Sequence, residues 1–470
     1  MAKRRSVWLC QTCALELPAF ENPCRNCGTW GSLVETLREP PRSGAAGSRG
    51  GAGARRTPQP LRAAASDRAP RLPLGITELD RVLGGGVVPG SIILLGGEPG
   101  IGKSTLLLQA AAGVAGAGGR VLYASGEESS AQIADRAGRL GFMDGPAADA
   151  VQILSEHDAD AIGDAALEAR PALLIVDSIQ TATVTELDGV AGSVGQVRES
   201  AARLAATARE SRAATILVGH VTKEGSIAGP KTLEHLVDAV VMLDGDRHGT
   251  LRTLRAAKNR FGSTEELGLL EMGERGLSAI DDPGRAFVDE RDARAPGAVV
   301  APLLEGSRPL LVEVQALVAG SAFGAPRRTG RGLDASRLSL LAAVLGRRAG
   351  IPLGDRDIYA NLVGGIVLDE PALDLPLALA LASSHADRPI DRSTVAVGEV
   401  GLLGELRPVS GLARRLREAA RHGFSRAIVP APRRGATIET PPEGIQVVAV
   451  ATLREAVSAA LGAESQQERR

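Results

Sequence analysis

Residues 96–105 read GGEPGIGKST, and what this stretch is decides what the rest of the chain can be. Gly97, Gly102, Lys103 and Ser104 fit G-x-x-x-x-G-K-[ST]. The apolar run Ser91–Leu95 before the motif predicts a buried strand, and the run TLLLQAA after it predicts a helix. Between strand and helix such a loop wraps phosphates. Its glycines let backbone N–H groups close on an anion at a helix N-terminus. Gly97, Glu98, Pro99, Gly100, Ile101, Gly102, Lys103, Ser104 and Thr105 are therefore the candidate ATP cradle. Lys103 is aimed at the β- and γ-phosphates and Ser104 at Mg2+.

Two further predicted strands end in carboxylates. PALLIVDS delivers Asp177, suited to hold the metal through water. RVLYASGEES delivers Glu127 and Glu128, either of which can orient an attacking water; the alternative for each is a solvated position favoured by a helix dipole. A fourth strand, ATILVGH, brings His220 to the same edge and opens the Gly-rich segment VTKEGSIAGPKTLEH, which holds Lys223 and Lys231. Strands alternating with helices in this way predict a mostly parallel α/β sheet with ligands at the strands' carboxyl ends.

All four cysteines, Cys10, Cys13, Cys24 and Cys27, fall in two CxxC pairs near the N-terminus. Two such knuckles close a tetrahedral Zn2+ site, and a metal compensates for the small core that so short a module can build. Two disulfides are the alternative, disfavoured because no secretion signal precedes them. Trp8 and Trp30 are expected to pack over the module. Residues 37–70 are rich in Gly, Ala, Pro and Arg without periodicity and predict a flexible basic linker. Residues 1–70 carry net +6 and the remainder −7, so a basic N-terminal arm precedes an acidic body. No run of ~18 apolar residues occurs, which predicts a cytoplasmic protein with no membrane partner.

One motif stands apart. The chain has 49 arginines and only 5 lysines, yet AAKNRFG at 256–262 keeps Lys258 two residues before Arg260. An ammonium on a flexible stem does what a planar guanidinium does not.

Taken together, CxxC…CxxC, GEPGIGKST, LLIVDSIQT and KNRFG, in that order, resemble the bacterial RadA (Sms) family of RecA/DnaB-type ATPases over essentially the whole chain. The resemblance implies an α/β chain with a four-cysteine zinc ribbon (1–36), a flexible basic linker (37–70) and a RecA-like P-loop ATPase core (71–284). A Lon-protease-like α/β domain (285–460) and a polar tail (461–470) follow. It implies Glu127 rather than Glu128 as the water-activating carboxylate and His220 as the γ-phosphate sensor. Lys223 and Lys231 then lie near single-stranded DNA, and Lys258 and Arg260 form a basic pair inserted into a neighbouring subunit's ATP site. Partners implied are single-stranded and branched DNA, a homohexamer and recombinase (RecA) filaments. In the Lon-like part the nucleophilic serine aligns with Ala372 and its lysine with Arg415, so the domain is expected to be inactive as a protease. Arg327, Arg328, Arg331 and Arg337 are candidate DNA contacts there. The expected activity is a DNA-dependent ATPase motor for branch migration. A nucleotide-gated DNA-binding scaffold without motor activity is the alternative, and an ATP-dependent protease is disfavoured.

Overall fold

The computed structural model describes residues 6–10, 15–37, 62, 70–145, 147–220, 232–245, 249–280, 282, 288, 295–321, 326–363, 370–432 and 441–462. Cys13, Lys223, Lys231, most of the linker and most of the tail lie outside the described residues. The chain divides into two units. Met1–Asp244, Leu254–Thr264 and Met272–Ala279 form the first; Gly245–Thr253, Glu265–Glu271 and Ile280–Arg470 form the second. The division is thus not a single cut near residue 284, since two earlier stretches already belong to the second unit.

The first unit opens with β1 (Ser6–Cys10), β2 (Glu16–Leu17) and β3 (Leu33–Leu37), antiparallel in the order β2–β1–β3. Cys10, Leu17, Cys24 and Leu33 form its small core, and Trp8 packs on them with its ring edge toward Phe20. Trp30 does not join it: it stands 73% exposed, because a core of this size offers no second apolar surface to cover.

Then come α1 (Thr77–Val82), β4 (Ile92–Gly97), α2 (Lys103–Gly116), β5 (Val121–Ser125), α3 (Ser130–Arg139), α4 (Ala147–Ala150), β6 (Val151–Ser155) and α5 (Ala159–Ala169). They are followed by β7 (Leu173–Asp177), α6 (Val194–Ser211), β8 (Ala214–His220), α7 (Thr232–Leu236), β9 (Ala239–Asp244), β10 (Leu251–Asn259), β11 (Leu267–Gly273) and β12 (Gly276–Ala279). Strands β4 to β12 make one sheet, ordered β12–β11–β10–β9–β4–β8–β7–β5–β6, in which β9 through β6 run parallel. β4, β5 and β7 are buried at every residue, which is why they read as continuous apolar runs instead of alternating. Helix starts are set locally. Ser129 and Gln132 form a reciprocal capping box on α3, and the Asp158 carboxylate accepts from the N–H groups of Asp160 and Ala161 to begin α5. β3 lies beside the first turn of α6, so closely that a Cβ on Gly195 would come within 3.1 Å of the Glu35 carbonyl.

The second unit holds β13 (Ala298–Glu305), β14 (Arg308–Gly320), β15 (Arg328–Arg331), α8 (Ala335–Val344), β16 (Arg356–Leu362) and α9 (Asp374–Ala386). It continues with β17 (Thr394–Ala396), the hairpin β18 (Glu399–Val400) and β19 (Leu406–Arg407), α10 (Leu412–Arg421), β20 (Arg426–Pro430), β21 (Gln446–Val450) and α11 (Leu453–Leu461). Its mixed sheet runs β15–β16–β14–β13–β17–β20–β21. α9, DLPLALALASSHA, is buried along Asp374–Ser383 and serves as the core helix; α10, LARRLREAAR, turns only Arg415, Leu416 and Ala419 inward. The fold class is α/β, with a RecA-like P-loop core and a second α/β unit.

Candidate functional site

The sheet order places the ends of β4, β8, β7 and β5 side by side. Gly97 pairs with His220, and Ser125 with Asp177, so the glycine loop, His220, Asp177 and the Gly126–Glu128 turn share one edge. At the start of α2, Gly102 holds φ 116°, a left-handed conformation that disfavours side chains, and a Cβ there would also strike the Met272 side chain at 2.6 Å. No side chain caps α2, so its first-turn N–H groups remain available to an anion.

Lys103 is buried and donates to the carbonyls of Gly97 at 2.8 Å and Glu98 at 2.9 Å. Burial pushes its pKa below the ordinary lysine value, against the pull of Asp177 and Glu127. Its Nζ also lies 3.2 Å from His220 Nδ1, while His220 Nε2 lies 3.2 Å from Glu127 Oε1. These contacts select one neutral tautomer: Nδ1 accepts from the ammonium and Nε2 donates to the carboxylate. Ser178 Oγ also donates to Glu127. The hydrogen bond from His220, and then that from Ser178, hold the Glu127 carboxyl below its usual pKa against burial. Glu128 is placed differently, ion-paired to Arg136 on α3. Asp177 is buried and accepts from the Tyr123 hydroxyl at 2.7 Å and from Ser104. Burial raises its pKa, the two donors oppose the rise, and Glu127 and Glu128 add to it. Carboxylates crowded in this way, next to a serine hydroxyl, suit a divalent cation.

Lys258 and Arg260 lie at the other end of the strands. Lys258 donates to the carbonyls of Glu234 at 2.5 Å and Val237 at 2.8 Å, closing the last turn of α7. Arg260 pairs with Asp238 at 3.2 Å, and the other oxygen of Asp238 accepts from the Ile92 N–H, where β4 begins. Five strand steps, about 17 Å, separate that point from the glycine loop at the end of β4. The pair is therefore remote from the phosphate loop of its own chain. The rest of the motif is built in: Asn259 Nδ2 reaches the Val82 carbonyl at 3.2 Å, and Arg71 donates to the carbonyls of Leu83 and Phe261.

In the N-terminal module the sulfurs of Cys10, Cys24 and Cys27 lie within 4.8 Å of one another. Cys10 Sγ and Cys27 Sγ are 3.5 Å apart, well beyond a disulfide bond of about 2.05 Å, so three thiols converge as metal ligands would.

In the second unit Ala372 and Arg415 are both buried at 1% exposure. Arg415 Nε donates to Ser410 O, Nη1 to Pro302 O, and Nη2 pairs with Glu370. Arg337 grips the buried Asp374 carboxylate with two nitrogens while its side chain stays partly exposed, and Asp374 also accepts from the Val400 N–H. A cavity of about 360 Å³ lies beside this pair, rimmed by Arg337, Asp374 and Glu399. Arg327, Arg328 and Arg331 sit on or just before the edge strand β15, with Arg327 and Arg331 exposed. Sequence reasoning missed Tyr123, Ser178 and Arg136, the residues that orient the three carboxylates. Ser178 follows Asp177 inside LLIVDSIQT and Tyr123 stands in the strand before Glu127, so both lay within quoted stretches; only the rarity of tyrosine, 2 in 470 residues, marks Tyr123.

The AAA domain family matches residues 57–226, and the family of subunit ChlI of Mg-chelatase matches 341–433. The chain is 45% identical over 465 residues to the DNA repair protein RadA of Bacillus subtilis, covering 98% of this chain and 100% of that one. It is 46% identical over 461 residues to the DNA repair protein RadA of Pseudomonas aeruginosa, covering 98% and 99%. Among solved structures, the RadB recombinase covers 45% of this chain at 23% identity with a TM-score of 0.37 and is itself covered completely (100%). A KaiC-like protein of Pyrococcus horikoshii covers 45% at 21% identity with a TM-score of 0.39, with 99% of that chain covered.

Proposed function

This chain belongs to the RadA family of DNA repair proteins, and from that premise we propose that it is a DNA-dependent ATPase working as a homohexameric ring. On this reading it translocates on single-stranded DNA and drives branch migration of recombination intermediates. The observation that carries the reading is the meeting of Lys103, Ser104, Asp177, Glu127 and His220 along one sheet edge beside a glycine loop. ATP with Mg2+ supplies the phosphoanhydride whose cleavage drives movement. Lys103 and the N–H groups of residues 100–105 would hold the phosphates, and Ser104 with Asp177 would hold the metal. Glu127, kept ionised by His220 and Ser178, orients the attacking water and accepts its proton. His220 touches both the phosphate lysine and this base, so it suits a sensor that couples nucleotide state to the segment it opens. Lys223 and Lys231 in that segment, with Arg327, Arg328 and Arg331 in the second unit, contact DNA. Lys258 and Arg260, remote from their own chain's phosphate loop, complete a neighbour's site.

Cys10, Cys24 and Cys27, with Cys13, hold one Zn2+ in a module that stabilises itself through the metal. No described helix is long and apolar enough to cross a membrane, and we place the protein in the cytoplasm beside recombinase filaments. Unwinding of a forked DNA substrate tests the motor. The expected result is strand separation that requires ATP. DNA-stimulated hydrolysis without strand separation would replace the motor with a nucleotide-gated scaffold.

A further inference from the structure

At the β15 end of the second unit's sheet, one face carries a row of exposed side chains. Tyr359 pairs with Thr329 on β15 and with Leu317 on β14; Asn361 pairs with Arg331 and Gln315. Paired residues point to the same side of a sheet, so these six share one face. Their alternates Ile358, Ala360 and Ala316 are buried on the other. Tyr359 is 39% exposed and Leu317 59%, side by side, in a chain whose other tyrosine, Tyr123, is buried. Arg327 and Arg331 flank the row, four residues apart along the edge, a span of about 13 Å. Two acids lie close by: Asp357 accepts from the Arg327 backbone N–H at 2.8 Å, and Glu313 accepts from the Gln315 side-chain amide at 2.8 Å. β15 ends the sheet, so its outer backbone edge can also pair with a ligand.

We propose that this face is a base-stacking platform for single-stranded nucleic acid, with Tyr359 under a base and Arg327 and Arg331 on the phosphates to either side. The proposal rests on the DNA-binding reading above and names a place and a mode for it. An aromatic ring amid arginine and amide side chains on an open sheet is what an unpaired base requires: a π-face, hydrogen-bonding groups for its edge and cations for its backbone. A second copy of this chain fits less well. Two apolar side chains fall far short of the roughly 800 Å² per partner that a stable interface covers.

The test uses the full-length protein and an oligothymidine carrying iodouracil. Tyr359→Ala is expected to weaken binding about 5- to 150-fold and to abolish the photo-adduct that mass spectrometry places at that residue. Tyr359→Phe keeps the affinity. Arg331→Ala lowers the slope of log affinity against log salt by about 1. ATP hydrolysis measured without DNA stays at the wild-type rate in both Tyr359 variants, which shows that they fold. If wild-type protein binds the oligonucleotide and Tyr359→Ala binds it equally well, the platform is wrong and the wider reading stands. If wild-type protein does not bind at all, both fall. A changed ring size in Tyr359→Ala with unchanged DNA affinity assigns the face to contacts between copies and overturns the platform.

Discussion

Lys103 in the first unit and Arg415 in the second are both buried cations set among backbone carbonyls and carboxylates. Lys103 touches the carbonyls of Gly97 and Glu98, and beyond them His220 and Glu127; Arg415 touches the carbonyls of Ser410 and Pro302, and Glu370. The two clusters differ in what their members are able to do. The lysine sits at the mouth of a glycine loop, its pKa is lowered by burial, and beyond it His220 hydrogen-bonds to Glu127, a carboxylate that can accept a proton from a ligand. Each of the arginine's three guanidinium nitrogens already has a partner. Burial of a charge beside a carboxylate is therefore no sign of catalysis by itself. The sign is a group that a ligand can recruit and that can gain or lose a proton.

The largest expected effect sharpens this contrast by asking whether the first cluster is complete within one chain. Lys258→Ala should lower hydrolysis by roughly 10³- to 10⁵-fold while nucleotide binding, measured by a fluorescent analogue, persists. Because Lys258 also closes α7, the decisive arm is a mixture with Lys103→Ala subunits, which restores some interfaces holding an intact loop and an intact Lys258. Activity above either variant alone supports action in trans; confirmed mixing without rescue leaves the lysine a structural clasp. Next, Glu127→Gln should cost about 10²- to 10⁴-fold in turnover with little change in nucleotide affinity. Glu370→Gln, the matching change in the other cluster, should leave turnover near wild type. A comparable loss from both would break the distinction.

Stability gives the third contrast. Arg415→Ala removes a buried guanidinium and leaves the partly buried Glu370 without its ion-pair partner, and should destabilise the second unit by about 3–5 kcal/mol, read as a lower thermal midpoint of its transition. Ala372→Ser should restore no peptidase activity, because Arg415 stands where the lysine base aligns and its three guanidinium nitrogens are engaged. The smallest effect concerns the lysines after His220. Lys223→Ala with Lys231→Ala should weaken single-strand binding and reduce its salt slope by about 2. An unchanged slope would move DNA binding away from the first unit.

Legibility followed the same physical divide. The glycine loop, the strand-end carboxylates and the paired cysteines could be read from sequence because each is a local pattern. A strand followed by a tight turn and a helix fixes where Lys103 and Ser104 point, whatever the rest of the chain does. The continuous apolar runs at β4 and β7 likewise announced a sheet covered on both faces. Glu127 and Glu128, by contrast, are neighbours in sequence with the same chemistry, and no local rule separates them. Arg136 on α3 takes one of them, while His220 and Ser178, from the ends of two other strands, take the other. The same holds for Arg337, which as a sequence looks like any basic loop residue, and for Tyr359, whose neighbours on the sheet come from positions 317 and 329. The sequence by itself determined which elements form and which chemical groups stand at their ends, since backbone propensity and spacing act over a few residues. Only the tertiary structure decided which of those groups meet, because long-range pairing and burial choose each charge's partner, and the partner determines whether the charge holds the fold or remains for a ligand.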